Sequence, residues 1–146
     1  MKLRLAALVA CVAGLAAVTA VSAQTDPVAQ RQTLMKDIAA NVKALAPVAQ
    51  GKADFDAATV KAALEKIAAD SKAFPGLFPV GSDTGNTEAG PKVWSDTEGF
   101  AKAAAKFQAD AAAAVAASGS LATFRPAFGA LAANCKACHT EFRVMK

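Results

Sequence analysis

The sequence predicts an all-α, antiparallel, up-and-down four-helix bundle, and three observations carry that reading. Apolar residues recur at steps of three and four in four separate segments. Alanine, the strongest helix former, makes up much of an apolar fraction of 54%. No stretch alternates polar and apolar residues as a half-buried strand would. The 146 residues suffice for one domain. Alanine fills little volume, so a bundle built from it gains from something bulky and apolar at its centre.

The first residues stand apart from that bundle. Lys2 and Arg4 precede an apolar run from Leu5 to Ala20, followed by the small residues Val21-Ser22-Ala23. This is the pattern of a secretory signal peptide over residues 1–23, leaving a domain over residues 24–146. An uncleaved anchor is the alternative, but the run is short for a membrane span. Leu8-Val9-Ala10-Cys11 resembles a lipoprotein cleavage box but comes too early, before any real apolar region.

The first helix is expected from about Pro27 to Gln50, with Asp26 as its cap, Pro27 in the first helical position and Gly51 as its stop. Its seam reads Val28, Arg31, Met35, Ile38, Val42, Leu45 and Ala49. The second runs from about Asp56 to Ala73, with Val60, Leu64, Ile67 and Phe74 on one side. Pro75 to Trp94 is punctuated by glycine and proline and reads as a loop across one end of the bundle. A loop of that length usually has a function. Ser95-Asp96-Thr97-Glu98 has the form of a capping box for the third helix, whose face carries Phe100, Phe107, Ala111 and Ala114. Ser118-Gly119-Ser120 ends it. The fourth starts at Leu121 or Pro126 and runs to about Val144, with Phe124, Phe128, Leu131, Cys135, Cys138 and Phe142 in line. Pro126 either kinks this helix or marks its start.

The formal charge is +4, and +2 once Lys2 and Arg4 are removed. The lysines are dispersed, which reads as a solvated surface and gives no argument for a nucleic-acid partner. Beyond the leader no segment suits stable membrane insertion. Only Cys135 and Cys138 remain after cleavage, and in an oxidising compartment they should be disulfide-bonded, metal-bound or modified.

Cys135-Lys136-Ala137-Cys138-His139 is a C-x-x-C-H motif, the attachment signal for haem c. Two thiols three residues apart lie on one helical turn and can each form a thioether with a vinyl-derived carbon of one porphyrin. The histidine that follows can then reach the iron as an axial ligand. Rival readings lack parts. A thioredoxin-like pair needs a βαβ context. A structural zinc needs four ligands, and the chain has one histidine and no further mature cysteine. A plain disulfide is the remaining alternative. One covalently attached haem c is therefore expected.

The lone histidine restricts the sixth position. The mature chain offers Met35 and Met145, and Met145 lies beyond His139 on the same helix, on the proximal side. Met35 either binds the iron or stands unbound beside an open site; seam methionines also fill gaps in cores. Arg31, one turn before Met35, needs a partner if buried. A haem propionate would supply one, and a frayed, solvated helix end is the other reading. Arg143 follows His139 by one turn, where it would steer the imidazole, block that face, or serve only as a cation near a helix C-terminus. Thr87 and Glu88 are loop candidates for the propionate edge. Trp94 and the phenylalanines read as core, those of the fourth helix touching the haem.

The same residues resemble the class II cytochromes c, which include cytochrome c-prime and its low-spin, methionine-ligated relatives. The resemblance lies in Cys135 to Arg143, in Arg31-Gln32-Thr33-Leu34-Met35, and in Leu77-Phe78-Pro79 with Thr87-Glu88-Ala89, Pro91 and Trp94. It implies thioethers at Cys135 and Cys138, His139 as proximal ligand, Arg31, Gln32 and Glu88 around the haem edge, Arg143 beside the proximal histidine, and Met35 on the distal side. One branch of the family is five-coordinate, often a homodimer, and binds nitric oxide or carbon monoxide. The other uses the methionine as sixth ligand and passes electrons.

Two functions follow. A periplasmic one-electron carrier would dock transiently on redox partner proteins, with lysines guiding an acidic one. A gas binder would take nitric oxide or carbon monoxide in an apolar distal site. No distal His or Arg pair of the kind used in peroxidase chemistry is present, so an enzyme is not expected. The availability of Met35 favours electron transfer.

Overall fold

The computed structural model describes residues 26–144. The leader, its cleavage site after Ala23 and Met145 lie outside the described residues. Four long helices form the bundle: α1 (Pro27–Ala49), α2 (Ala57–Ala73), α4 (Thr97–Ala116) and α5 (Leu121–Phe142). A one-turn helix, α3 (Lys92–Ser95), precedes α4, and a 3-10 turn (Phe74–Leu77) continues α2. Helix α2 packs against α1 and α4, and α4 against α5, while α1 meets α5 over a shorter stretch. Among the described residues no helix is long and apolar enough to cross a membrane.

Local chemistry sets the helix ends. Asp26 Oδ1 accepts from Val28 N at 2.9 Å with Pro27 in the first turn, as expected. The other end of α1 closes on Gly51, whose φ of +73° suits only glycine. Gly51 N reaches Val48 O at 3.0 Å and Lys52 N reaches Pro47 O at 2.8 Å, which satisfies the last carbonyls in a Schellman arrangement. Asp56 caps α2 through Thr59 N, and Ser120 caps α5 through Thr123 N.

One boundary differs from the sequence expectation, and another falls on one of its two alternatives. The cap of α4 is Asp96, which accepts from Gly99 N at 3.0 Å, and not Ser95. Ser95 is the last residue of α3, and its N–H pairs with Pro91 O at 3.1 Å, so the chain leaves helical geometry only at Asp96. Gly99 matters here, because a β-carbon would collide with the Asp96 carboxylate. Helix α5 starts at Leu121, and Pro126 lies inside it. Pro126 and Ala122 are both exposed, so water can satisfy the Ala122 carbonyl that the proline leaves unpaired.

The apolar residues divide into two clusters. The larger joins Ile38 and Leu45 of α1, Val60, Leu64 and Ile67 of α2, Ala111 and Ala114 of α4, and Phe124, Phe128 and Leu131 of α5. The predicted seams supply nearly all of it. The smaller, at the end of the bundle that carries Cys138, holds Val93, Phe100 and Phe142 with Phe74, Phe78 and Trp94 packed on them. There Phe74, Phe78, Phe100 and Phe142 meet edge to face in succession, with centroids 4.9–5.4 Å apart. That geometry suits the ring quadrupoles. Leu64 is fully buried in the larger cluster, and Leu64→Ala should lower stability by about 2–5 kcal/mol, read by denaturant unfolding of the purified protein.

Candidate functional site

Where α1 and α5 part, the bundle opens into a groove of about 520 Å³, within the ~300–1,000 Å³ range of cofactor clefts. Helix α1 lines it with Arg31, Gln32, Met35, Lys36 and Ala39, steps of three and four that place them on one face. Helix α5 contributes Cys138, His139 and Phe142, with Arg143 just beyond its end. Phe74, Phe78, Val93 and Phe100 form an apolar floor, and Thr87-Glu88-Ala89 closes the rim.

All the sequence-predicted site residues except Cys135 therefore meet in one groove. Cys135 is half-buried one turn before Cys138 and flanks it. Burial pushes both thiols above the usual range, and for Cys138 the neighbouring Cys135 adds to the rise. His139 sits exposed at the rim. Desolvation on its groove side holds its pKa below the ordinary histidine value; Arg143 pushes the same way and Glu88 opposes. A neutral imidazole is the form that binds a metal.

Arg31 departs from the reading of a frayed, solvated helix end. It is 4% exposed, so it is not solvated. Its guanidinium is held by the loop: Nη1 donates to Leu77 O (3.1 Å) and Ser82 Oγ (3.0 Å), and Nη2 to Ser82 O and Thr87 Oγ1 (both 2.6 Å). The cation also lies 4.8 Å from the Phe78 ring centre and 5.9 Å from that of Trp94, near enough for cation–π attraction. Burial lowers its pKa and Asp26 opposes. Among the described residues it forms no ion pair with a carboxylate.

The loop also grips α5. Glu88 takes Arg143 Nε at 2.7 Å and pairs with its Nη2. Ala89 and Arg143 form an antiparallel bridge, flanked by Gly90 N to Phe142 O at 2.7 Å and Val144 N to Glu88 O at 2.9 Å. Thus Arg143 leaves the helix with extended backbone, its side chain turned to the loop. Gln32 Nε2 ties α1 to Asn86 O at 2.6 Å.

The expectation for the aromatic residues needs correction. Of the α5 phenylalanines only Phe142 lines the groove; Phe124 and Phe128 belong to the larger core. The floor comes instead from Phe74, Phe78 and Phe100, brought there by the 3-10 turn and α4. Phe74 and Phe100 stood on the predicted seams of the second and third helices, while Phe78 fell in the stretch that reads as loop.

The groove fits a haem on the chemistry of its walls: an apolar floor, a thiol pair with an imidazole on one lip, a thioether on the other, and a buried cation without a carboxylate. Among the described residues no three His, Cys, Asp or Glu side chains converge as a metal site. Residues 26–143 match the family model described as cytochrome C′. The chain belongs to the cytochrome c′ family. That family binds haem c, and the bundle seen here is the family fold. The chain is similar to cytochrome c′ of Rhodopseudomonas palustris, 43% identical with 100% of this chain and 99% of the relative covered. It is also similar to cytochrome c-556 of Agrobacterium fabrum, 41% identical with 82% of each covered. Among solved structures, a ferrous variant of cytochrome c′ from Alcaligenes xylosoxidans with bound nitric oxide superposes with a TM-score of 0.78. It is 34% identical, covering 83% of this chain and 95% of that one. A carbon monoxide-bound variant of that protein also superposes at 0.78.

Beside the attachment motif, Asn134 is buried although the helical seam did not mark it. Its Nδ2 donates to Asp110 Oδ2 at 2.6 Å and to the Ala130 carbonyl at 3.0 Å, tying α5 to α4 one residue before Cys135. Lys106 Nζ shares the same carboxylate oxygen at 2.6 Å. The Asn134 hydrogen bond, then Lys106, hold Asp110 below the usual carboxylate range. A depressed carboxylate stabilises the fold above its unfolded pKa and loses that contribution as pH falls through its folded value. Asn134→Ala should therefore flatten the acid limb of stability against pH, below about pH 4, as followed by thermal melts of the holoprotein at stepped pH.

Proposed function

We propose that this protein carries one haem c, attached through Cys135 and Cys138 with His139 as proximal ligand, and that it transfers single electrons in the periplasm after export. The observation that carries this reading is the placement of Met35 across the groove from His139, on a wall that presents no other sulfur or imidazole.

When bound, the haem supplies a one-electron iron couple, and methionine–histidine ligation raises its potential. The protein's own residues do the rest. The phenylalanine floor and Val93 exclude water from one side of the groove and lower its dielectric, which also shapes a redox potential. Arg31 presents a buried positive charge that forms no ion pair with a carboxylate among the described residues, and Gln32 stands beside it; both suit the carboxylates of the haem edge. Arg143, turned toward Glu88, leaves the His139 imidazole as the group nearest the iron on that side. Lys36 and Lys136 are exposed and would attract an acidic redox partner. We read the protein as a carrier and not an enzyme.

Gas binding is the second reading, favoured by the nitric oxide and carbon monoxide complexes of the Alcaligenes xylosoxidans cytochrome c′. Absorption and EPR spectra of the holoprotein separate the two. Electron transfer with Met35 ligation predicts low-spin spectra in both redox states that resist carbon monoxide, and a Met35→Ala variant that turns high-spin and takes the gas up. High-spin spectra of the unmodified protein with ready uptake would install gas binding instead. Mass spectrometry checks the attachment: the exported protein should be heavier by one haem, and a Cys135→Ala, Cys138→Ala double variant should not.

A further inference from the structure

Thr87, which with Ser82 makes the shortest contacts to Arg31, also begins the contact between loop and α5. Thr87 Oγ1 accepts from Arg31 Nη2 at 2.6 Å and from Ala89 N at 3.1 Å. A hydroxyl oxygen has two acceptor lone pairs, so both are in use and the Thr87 side chain is held in one orientation. The next residues make the rungs with 142–144: Glu88 O to Val144 N, the Ala89–Arg143 bridge, and Gly90 N to Phe142 O. The fit there is close, since a β-carbon on Gly90 would stand 3.2 Å from Phe142 O. Glu88 then holds Arg143, whose backbone N–H caps the His139 carbonyl at 3.2 Å.

Little else anchors this part of the loop. Gly81 and Gly85 adopt positive φ and Val80 is 98% exposed; among the described residues, Arg31 itself ties Leu77 and Ser82, and beyond it Trp94 Nε1 to Pro79 O and Gln32 to Asn86 O add side-chain ties. We propose that Arg31 is a positioning residue: through Thr87 and the 88–90 rungs it sets the placement of Glu88 and Arg143, and so the surroundings of His139. The route runs around the groove and not across it. It joins the helix bearing Met35, one turn after Arg31, to the helix bearing His139. A packed network of this kind can couple two walls of a site, and a double-mutant cycle is the direct measure of such coupling.

The test uses the haem-loaded protein. Thr87→Val keeps the shape and removes the acceptor oxygen. It should speed hydrogen exchange of the Gly90 and Val144 amides by about 10-fold or more and move the hyperfine-shifted proton resonances of the His139 ring. Leu64→Ala, which weakens the distant core, should move neither specifically. Arg143→Ala should shift the His139 resonances, and adding Thr87→Val to it should produce little further shift, because Thr87 acts through Arg143. If Thr87→Val yields no folded protein, Arg31→Lys takes its place, keeping the charge but not the planar fork, and is judged by the same two readouts. Unchanged amide rates and unchanged His139 resonances would overturn the proposal, as would fully additive shifts in the double variant. The proposal rests on His139 as the proximal ligand. Loss of that assignment would show separately, as an exported protein without covalent haem, while the amide readout would still judge the Arg31 route.

Discussion

A guanidinium buried without a carboxylate is the interaction on which the site depends. Taking such a charge from water costs several kcal/mol unless polar groups replace the solvent. Here the replacement comes from one loop, which supplies two carbonyls and two hydroxyls to a single side chain. The loop is thereby wrapped around a point on α1, and its following residues are delivered to the end of α5. Helix α1, the groove rim and the His139 turn of α5 are thus joined by hydrogen bonds that no single helix could make.

The same economy of contacts explains the two-cluster core. Alanine-rich helices approach closely, and at the far end Phe124 and Phe128 with aliphatic residues of α1 and α2 fill the space between them. At the near end α1 and α5 diverge, and the apolar residues there line a groove instead of closing it. Edge-to-face rings keep that floor rigid from one side only. A flat apolar group inserted between Met35 and His139 would complete the packing, which is the physical sense of a cofactor at this end of the family fold.

Much of this was legible in the residues. Helical steps named the buried seam, Asp26 with Pro27 marked the start of α1, and the spacing of Cys135, Cys138 and His139 pointed to the family to which the chain belongs. What was not legible depended on contacts between residues distant in sequence. Ser95 looked like a cap because a local pattern cannot show that α3 already uses its N–H. Asn134 looked peripheral because its partner, Asp110, lies on another helix. Phe124 and Phe128 shared a seam with Cys138, and periodicity alone cannot say how far along a bundle a cofactor reaches.

The sequence by itself determined the helices, their buried faces and the identity of the reactive residues, because these follow from periodicity, capping and covalent chemistry within a few residues. Only the tertiary structure decided that Arg31 is sealed beneath the loop and that Glu88 is paired with Arg143. It alone showed that Phe74, Phe78 and Phe100 form the floor. Those outcomes turn on which groups meet once the chain has closed on itself, and a buried charge settles on whichever partners the closed fold brings within hydrogen-bonding distance.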